Sequence, residues 1–553
     1  MAIQEMPIGK DSFEKLREGG YYYVDKTLLI KQLLTKRAEV TLITRPRRFG
    51  KSLNMSMLDC FFDNTRKNTD DLFRGLKIEN EPEYSERNKY PTIFITLKSV
   101  GRLTFEDTYG KLVAVIAQLY SKHSYLFEST DISETDRIAI DHIIKKKPTD
   151  DELTNSLHLL SKIMYKHYGE KAIILIDEYD VPLSKGNTYN YYPKITDIIR
   201  AMFDDALKGN DYLEMAVVTG CLRIAKESFF TGLNNPSVDS ISKPRIDEFF
   251  GFTESEVDRI LSDYGIEEKK SIIKEWYDGY QFGKFDVYCP WDVINYVSAL
   301  TDFEEAEPLC YWANTSGDDM IRPFLKRNRS KLGDYFTTLL RGGTVEATIN
   351  EKLTYLDLKS NELDIFWSLL YLCGYLTTVK YNRATGSAEL KIPNQEVKII
   401  FKDSITQWFK NDVVPTVLEN IIRQTWTCDE NGLQNSIGDL LFKVISFYDY
   451  DENFYHAFVA GVLAVSQYDV KSNRENGEGR TDVTVKDIEH VRAAVFEFKI
   501  AQTPDELEER AHAAIKQIDE KGYAKQLAYD GYREIIKIGI GYFKKRCVVK
   551  IEK

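Results

Sequence analysis

A run of apolar and β-branched residues, VTLIT (Val40–Thr44), leads into RPRRF and then Gly50-Lys51-Ser52, where a helical pattern begins. A strand, a polar loop and a helix start, in that order, turn backbone N–H groups and the positive end of a helix dipole toward an anion. In a loop of the form G-x-x-x-x-G-K-[ST], Lys51 would bridge the β- and γ-phosphates of a nucleoside triphosphate and Ser52 would ligate Mg²⁺. Arg45 stands at the first glycine position, and Pro46 after it favours extended geometry there, so the loop must open differently. Arg45, Arg47 and Arg48 would add positive charge where the anion sits. Alone, such a segment is equally a solvated basic turn. A second run decides between the two: AIILIDE (Ala172–Glu178) is an apolar strand ending in two carboxylates. Asp177 would hold the Mg²⁺ through its outer sphere, and Glu178 would polarise the attacking water as general base. A third run, MAVVTGCLR (Met215–Arg223), puts Thr219 at a strand end and Arg223 just beyond. Either could sense the γ-phosphate; a capping Thr and a surface Arg explain them as well.

Near the other end, GRTDVTV and AAVFEFKI place Asp482 at the start of one strand and Glu497 and Lys499 on the next. Residues two apart on a strand share a face, and a hairpin would bring Asp482 beside them. Phosphodiester hydrolysis uses such a set: two carboxylates to hold a divalent ion and a lysine to orient water or neutralise developing charge. E-x-K alone recurs by chance, and the bland reading is a cross-face ion pair. Here Phe496, Phe498 and Ile500 make the other face apolar, and a charge pair inside a buried strand is costly unless it serves something. Gln517 and Tyr523 could line the same cleft, and Glu452 or Glu475 could add a further acidic ligand.

These residues need rigid elements beneath them. VTLIT, TIFITL (Thr92–Leu97), AIILID and MAVVTG are short continuous apolar runs, the pattern of strands buried on both faces of a parallel sheet. Helical patterns over Leu53–Phe62, Phe105–Ser121, Glu152–Tyr168 and Lys194–Leu207 alternate with them. That alternation predicts an α/β domain over residues 1–245. Residues 246–428 read as a mostly helical, aromatic-rich lid and connector without clear buried strands. Residues 429–553 read as a second α/β unit: a helix over Glu452–Val465, a polar loop over Lys471–Arg480, two strands, a helix over Pro504–Gly522 and two closing strands.

At 553 residues the chain has room for about three to five domains. With 43% hydrophobic and 29% charged residues it is an ordinary folded composition rather than a disordered one. The formal charge of −12 argues against coating nucleic acid by bulk charge and leaves a local basic groove open. A basic stretch, RPFLKRNRSK (Arg322–Lys331), could touch phosphate backbones but reads more readily as a solvated helix face. Seven cysteines without a C-x-x-C pair fit free thiols in a reducing compartment, and seven dispersed histidines give no metal cluster. No apolar run is long enough to span a bilayer, and the start lacks a signal-peptide core, so the expectation is a cytoplasmic protein with no membrane partner.

YVDKTLLIKQLL (Tyr23–Leu34), ITRPRRFGKSLNMSML (Ile43–Leu58), ILIDEYDVPL (Ile174–Leu183), TGCLRIAKESFFTGLNN (Thr219–Asn235), WYDGYQFG (Trp276–Gly283), SNRENGEGRTD (Ser472–Asp482) and FEFK (Phe496–Lys499) together resemble a bacterial and archaeal family. Its members join an AAA-ATPase-like domain to a C-terminal domain of the PD-(D/E)XK nuclease superfamily. The resemblance implies a P-loop NTPase parallel-sheet domain of the ASCE/AAA type, a helical connector and a restriction-endonuclease-like α/β domain. It makes Arg45 that family's normal variant of the loop. It implies that Gly50, Lys51 and Ser52, with Arg47, Arg48, Phe49 and Asp177, bind ATP. Ser52 and Asp177 would serve Mg²⁺ there, with Glu178 catalytic beside them. Asp482 and Glu497 would hold Mg²⁺ or Mn²⁺ and, with Lys499, catalyse; Gln517 and Tyr523 look like an accessory Q-x-x-x-x-x-Y element. Thr481 stands where the superfamily name has Pro.

Two functions follow as expectations. One is an ATPase that gates a metal-dependent nuclease acting on DNA or RNA. The other is a STAND-like regulatory nucleotide switch whose C-terminal domain is an inactive binding module for nucleic acid or protein. Either is compatible with a homo-oligomer.

Overall fold

The structure, a computed structural model, describes residues 4–66, 69–128, 132–222, 237–242, 246–312, 335, 336, 338–340, 342–353, 357, 362–401, 414–444, 468–476, 479–544 and 546–553. Arg223, the basic stretch Arg322–Lys331, Glu452 and the helix expected over Glu452–Val465 lie outside the described residues, as does the Glu475 side chain. The chain folds as two compact units. One comprises Met1–Phe324 with Thr344–Ile400, the other Leu325–Gly343 with Phe401–Lys553.

The first unit is built on five parallel strands: β1 (Val40–Thr44), β2 (Thr92–Thr96), β3 (Ala172–Asp177), β4 (Leu213–Gly220) and β5 (Ser237–Asp239). Their order across the sheet is β2-β3-β4-β1-β5. Every residue of β1 and β3 is buried, as the continuous apolar runs require when helices cover both faces. On one face the helix Lys51–Phe62 contributes Met57, Leu58, Phe61 and Phe62 to a cluster with Ile43, Ile173, Leu175 and Val217. Helices Phe105–Lys122, Ser156–Tyr168 and Tyr192–Leu207 add further buried apolar faces to the unit. The order has a functional consequence: β4 lies between the strand that enters the Arg45–Ser52 loop and the strand that ends in Asp177. All three strands deliver their carboxyl ends to one edge, where ligands of open α/β sheets bind.

The stretch expected to lack clear strands holds two small antiparallel sheets. One is β6 (Phe252–Thr253), β7 (Tyr280–Phe282) and β8 (Phe285–Tyr288). The other is β9 (Val345–Thr348), β10 (Thr377–Tyr381) and β11 (Ser387–Lys391). Strands of two to five residues are too short for alternation to register in sequence. Between the sheets' segments run the helices Pro290–Asp302 and Leu363–Leu372.

The second unit carries a mixed sheet in the order β12-β13-β14-β15-β16. Its strands are β12 (Asp469–Asn476), β13 (Gly479–Asp487), β14 (Arg492–Ile500), β15 (Glu534–Phe543) and β16 (Arg546–Glu552). The polar segment read as a loop is β12 and the start of β13, paired antiparallel from Asp469↔Lys486 to Asn476↔Gly479. As an edge strand, β12 can be polar and still pair. β14 and β15 are parallel, joined through the helix Leu507–Glu520. That helix lies so close to β15 that a Cβ added at Gly541 would stand 2.2 Å from the Leu507 carbonyl oxygen, and one at Gly539 2.3 Å from that of Ala511. The helices Val414–Thr427 and Glu430–Val444 bring Ile421, Leu433, Ile437 and Leu441 into a core with Val483, Phe496, Phe498 and Ile540.

Candidate functional site

The Arg45–Ser52 loop turns on two left-handed residues, Arg48 at φ 71° and Gly50 at φ 80°. Glycine takes that conformation freely, and an arginine there must be held by its surroundings. Arg48 is held: its guanidinium stacks 4.2 Å over the Trp291 ring. Gly50 then opens the helix Lys51–Phe62 with no side chain capping it. The helix start therefore keeps its anion-attracting character.

Three side chains converge where β1, β3 and β4 end. The Ser52 hydroxyl donates to Asp177 Oδ2 at 2.7 Å, and the Thr219 hydroxyl donates to Asp177 Oδ1 at 2.5 Å. Lys51 Nζ donates to the carbonyl oxygens of Arg45 (2.9 Å) and Pro46 (2.8 Å) and lies 3.7 Å from Cys221 Sγ. Glu178, at φ 52°, lines the adjoining cavity; burial pushes its carboxyl above the usual range while Lys51 draws it back. Ser52 and Asp177 thus offer hard oxygens within hydrogen-bond reach of each other, the donor chemistry Mg²⁺ takes. Thr219, read from the sequence as a γ-phosphate sensor or a capping residue, has the Asp177 carboxylate as its partner.

The adjoining cavity encloses about 400 Å³ and has a mixed lining. Its polar residues include Arg47, Arg48, Lys51, Ser52, Lys98 and Glu178. Its apolar residues include Tyr22, Val24, Phe252, Ile260, Ile294 and Trp291, the last stacked against Arg48.

Two loop residues face elsewhere. Arg45 is fully buried beneath the loop, and the expectation that it charges an anion site is corrected. Its guanidinium donates to the carbonyl oxygens of Thr44 and Asp239, both at 2.9 Å, and pairs with Asp247 at 3.3 Å. It sits against the rings of Phe250 and Phe282, and burial pushes its pKa down to about 10. Phe49 is likewise fully buried, its ring 5.0 Å from those of Tyr280 and Phe282. Only its backbone remains for a ligand. The connector braces the rest of the loop: Pro46 abuts Gly374, and Trp312 Nε1 donates to the Arg47 carbonyl at 3.4 Å.

In the second unit the β13–β14 register pairs Val483 with Phe496, which brings Asp482 alongside Glu497. Asp482 Oδ2 accepts the Phe498 N–H at 2.9 Å. Glu497 is 1% exposed on a strand whose Phe496 and Phe498 are wholly buried. It lies 3.8 Å from Lys499 Nζ and accepts a hydrogen bond from Gln517 Nε2. Tyr523 is buried nearby, its hydroxyl pushed up by burial and then by the Glu497 charge. All five sequence-chosen residues meet in one place. Among the described residues no group of three His, Cys, Asp or Glu side chains gathers for a metal, so Asp482 and Glu497 stand as a two-carboxylate set.

Sequence reasoning missed Tyr179 and Asp180. They follow the acidic pair in DEYD and bind the backbone beyond β4. A further Asp two residues after the strand's acids was the available signal.

No helix among the described residues is long and apolar enough to cross a membrane. An uncharacterised protein from the vnfD 5′ region of Azotobacter chroococcum mcd 1 is 28% identical over 543 residues, covering 95% of this chain and 94% of that protein. Residues 7–230 match the family described as Predicted AAA-ATPase, and residues 450–552 match the PD-(D/E)XK nuclease superfamily. The parallel sheet with the Lys51–Ser52–Asp177 convergence thus belongs to an AAA-ATPase-like domain, and the mixed sheet with Asp482, Glu497 and Lys499 to a PD-(D/E)XK nuclease-superfamily domain.

Proposed function

We propose that the chain binds ATP with Mg²⁺ in the cavity lined by Lys51, Ser52 and Glu178, hydrolyses it, and uses the nucleotide state to gate a metal-dependent nuclease site acting on DNA or RNA. The observation that carries this reading is the 2.7 Å contact between Ser52, one residue into a helix start, and Asp177, at the end of a buried strand. Loop and acid belong to separate parts of the sequence, and a solvated basic turn would not need such a partner.

Each residue then has a task. Lys51 exchanges the carbonyls of Arg45 and Pro46 for phosphate oxygens, with Arg47 and Arg48 beside it. The base packs on the apolar part of the lining, such as Trp291 and Ile294. Glu178 takes the proton of the water that attacks the γ-phosphorus, and ADP and phosphate result. Ser52 and Asp177 would hold Mg²⁺ at the phosphates, and Asp482 and Glu497 would hold Mg²⁺ or Mn²⁺ at the second site. Bound there, the ions supply charge neutralisation to the triphosphate and Lewis acidity to the scissile phosphodiester. Lys499 orients the attacking water or neutralises the developing charge, and Gln517 fixes the Glu497 carboxylate.

A cleavage panel tests the whole reading. DNA and RNA substrates are incubated with Mg²⁺ or Mn²⁺, with and without ATP, using wild type, Lys51→Ala, Glu497→Ala, Asp482→Ala and Lys499→Ala. The expected result is cleavage lost in the last three variants and insensitive to ATP in Lys51→Ala. ATP binding without cleavage of any substrate would favour a regulatory switch instead.

A further inference from the structure

The chain leaving β4 is held by the turn that follows β3. Asp180, buried, accepts the backbone N–H groups of Cys221 (2.9 Å) and Leu222 (3.1 Å) on one oxygen. Tyr179 donates its N–H to the Thr219 carbonyl (3.0 Å) and its hydroxyl to the Leu222 carbonyl (2.7 Å). The fit leaves no room for a side chain at Gly220: a Cβ there would lie 2.6 Å from the Tyr179 ring and 2.9 Å from an Asp180 oxygen.

The same short segment serves the loop on its other side. The Gly220 carbonyl accepts the Arg45 N–H at 3.1 Å, Thr219 holds Asp177, and the Cys221 thiol backs Lys51. Residues 219–222 therefore join the loop, its lysine and the acid strand. Asp180 contributes nothing to the cavity wall that Glu178 lines, so it acts through these neighbours.

We propose that Asp180 is a positioning residue for nucleotide turnover, clamping residues 219–222 in the register that keeps Thr219 on Asp177 and Cys221 behind Lys51. This rests on the reading of the cavity as a nucleoside-triphosphate site. Burial raises the Asp180 carboxyl and the two N–H groups oppose that rise. A clamp of this kind needs an acceptor oxygen more than it needs a charge, and an amide at 180 supplies one.

The test uses the full chain as wild type, Asp180→Ala, Asp180→Asn and, as binding control, Lys51→Ala. Phosphate release gives kcat and KM, and hydrogen–deuterium exchange reads the amides of Cys221 and Leu222. Asp180→Ala should lower kcat by about 10- to 100-fold with KM within about threefold, and should speed exchange at those two amides. Asp180→Asn should keep kcat within about fivefold of wild type and preserve their protection. Wild-type kcat in Asp180→Ala, equal loss in both variants, or a pure KM effect would overturn the assignment. If Asp180→Ala fails to fold, Asp180→Asn decides alone, because its loss of turnover or of amide protection refutes the clamp. If wild type binds no ATP, the nucleotide reading fails by itself. Unchanged exchange in Asp180→Ala would then separately refute the clamp.

Discussion

Lys51 donates two hydrogen bonds to its own loop, which the proposed nucleotide would take over. Removing the ammonium should weaken ATP by at least about 30-fold, the ~2 kcal/mol scale of a charge-assisted hydrogen bond. Titration of a fluorescent ATP analogue into Lys51→Ala checks this. As the proposed general base, Glu178 would act only when ionised, and its carboxyl is raised by burial. Turnover should therefore rise with pH through that raised value, and Glu178→Gln should bind ATP and lose the pH-dependent limb of kcat. His123 gives a second pH signature. It is buried, with Nε2 unpartnered, and desolvation followed by the neighbouring Lys122 lowers its pKa to about 4. The folded state resists the proton that the unfolded chain accepts near pH 6.5. Stability should hold above pH 6.5 and decline as pH falls toward 4, by at most about 3 kcal/mol. Denaturant melts of wild type and His123→Gln between pH 4 and 7 would show that slope flattened in the variant. At this scale, residue types were readable and directions were not. Glu497, deep in an apolar run, was legible as a charge needing a partner, and it lies beside Lys499 and Gln517. Arg45 had the same charge as Arg47 in the sequence, and the partners that turn it inward, the Asp239 carbonyl, Asp247 and two phenyl rings, are remote in sequence.

Elements were legible where burial is two-sided. β1 and β3 coincide with VTLIT and AIILID because every position is covered, so the apolar run and the strand have the same ends. β5, with the sequence SVD, and the two- to five-residue strands of the connector offered no such run. β12 was hidden differently: its sequence DVKSNREN is that of a loop, and only pairing with β13 makes it a strand. The helix over β15 sets a sharp constraint. Gly541→Ala forces a methyl to 2.2 Å from a backbone carbonyl, and neither partner is a flexible side-chain end. That overpacking should cost about 3 kcal/mol and should show as a clearly lowered melting temperature. The substitution Phe49→Ala works from the other direction. It empties a fully buried ring site beside Tyr280 and Phe282 and should cost about 3–5 kcal/mol.

At the scale of the whole molecule, the candidate nucleotide cavity is lined entirely by the first unit, and the acid–lysine set belongs to the second. Ligand binding stabilises the state that binds, by about 2.7 kcal/mol at a hundredfold excess over Kd. ATP should therefore slow amide exchange through the five-stranded sheet in wild type and leave Lys51→Ala unchanged. The chain's route between the units has a consequence of its own. It passes from one to the other after Phe324, after Gly343 and again after Ile400, and Ile421 already belongs to the core beneath β13 and β14. A single splice at residue 428 would strand that core residue on the wrong fragment and leave an exposed greasy scar.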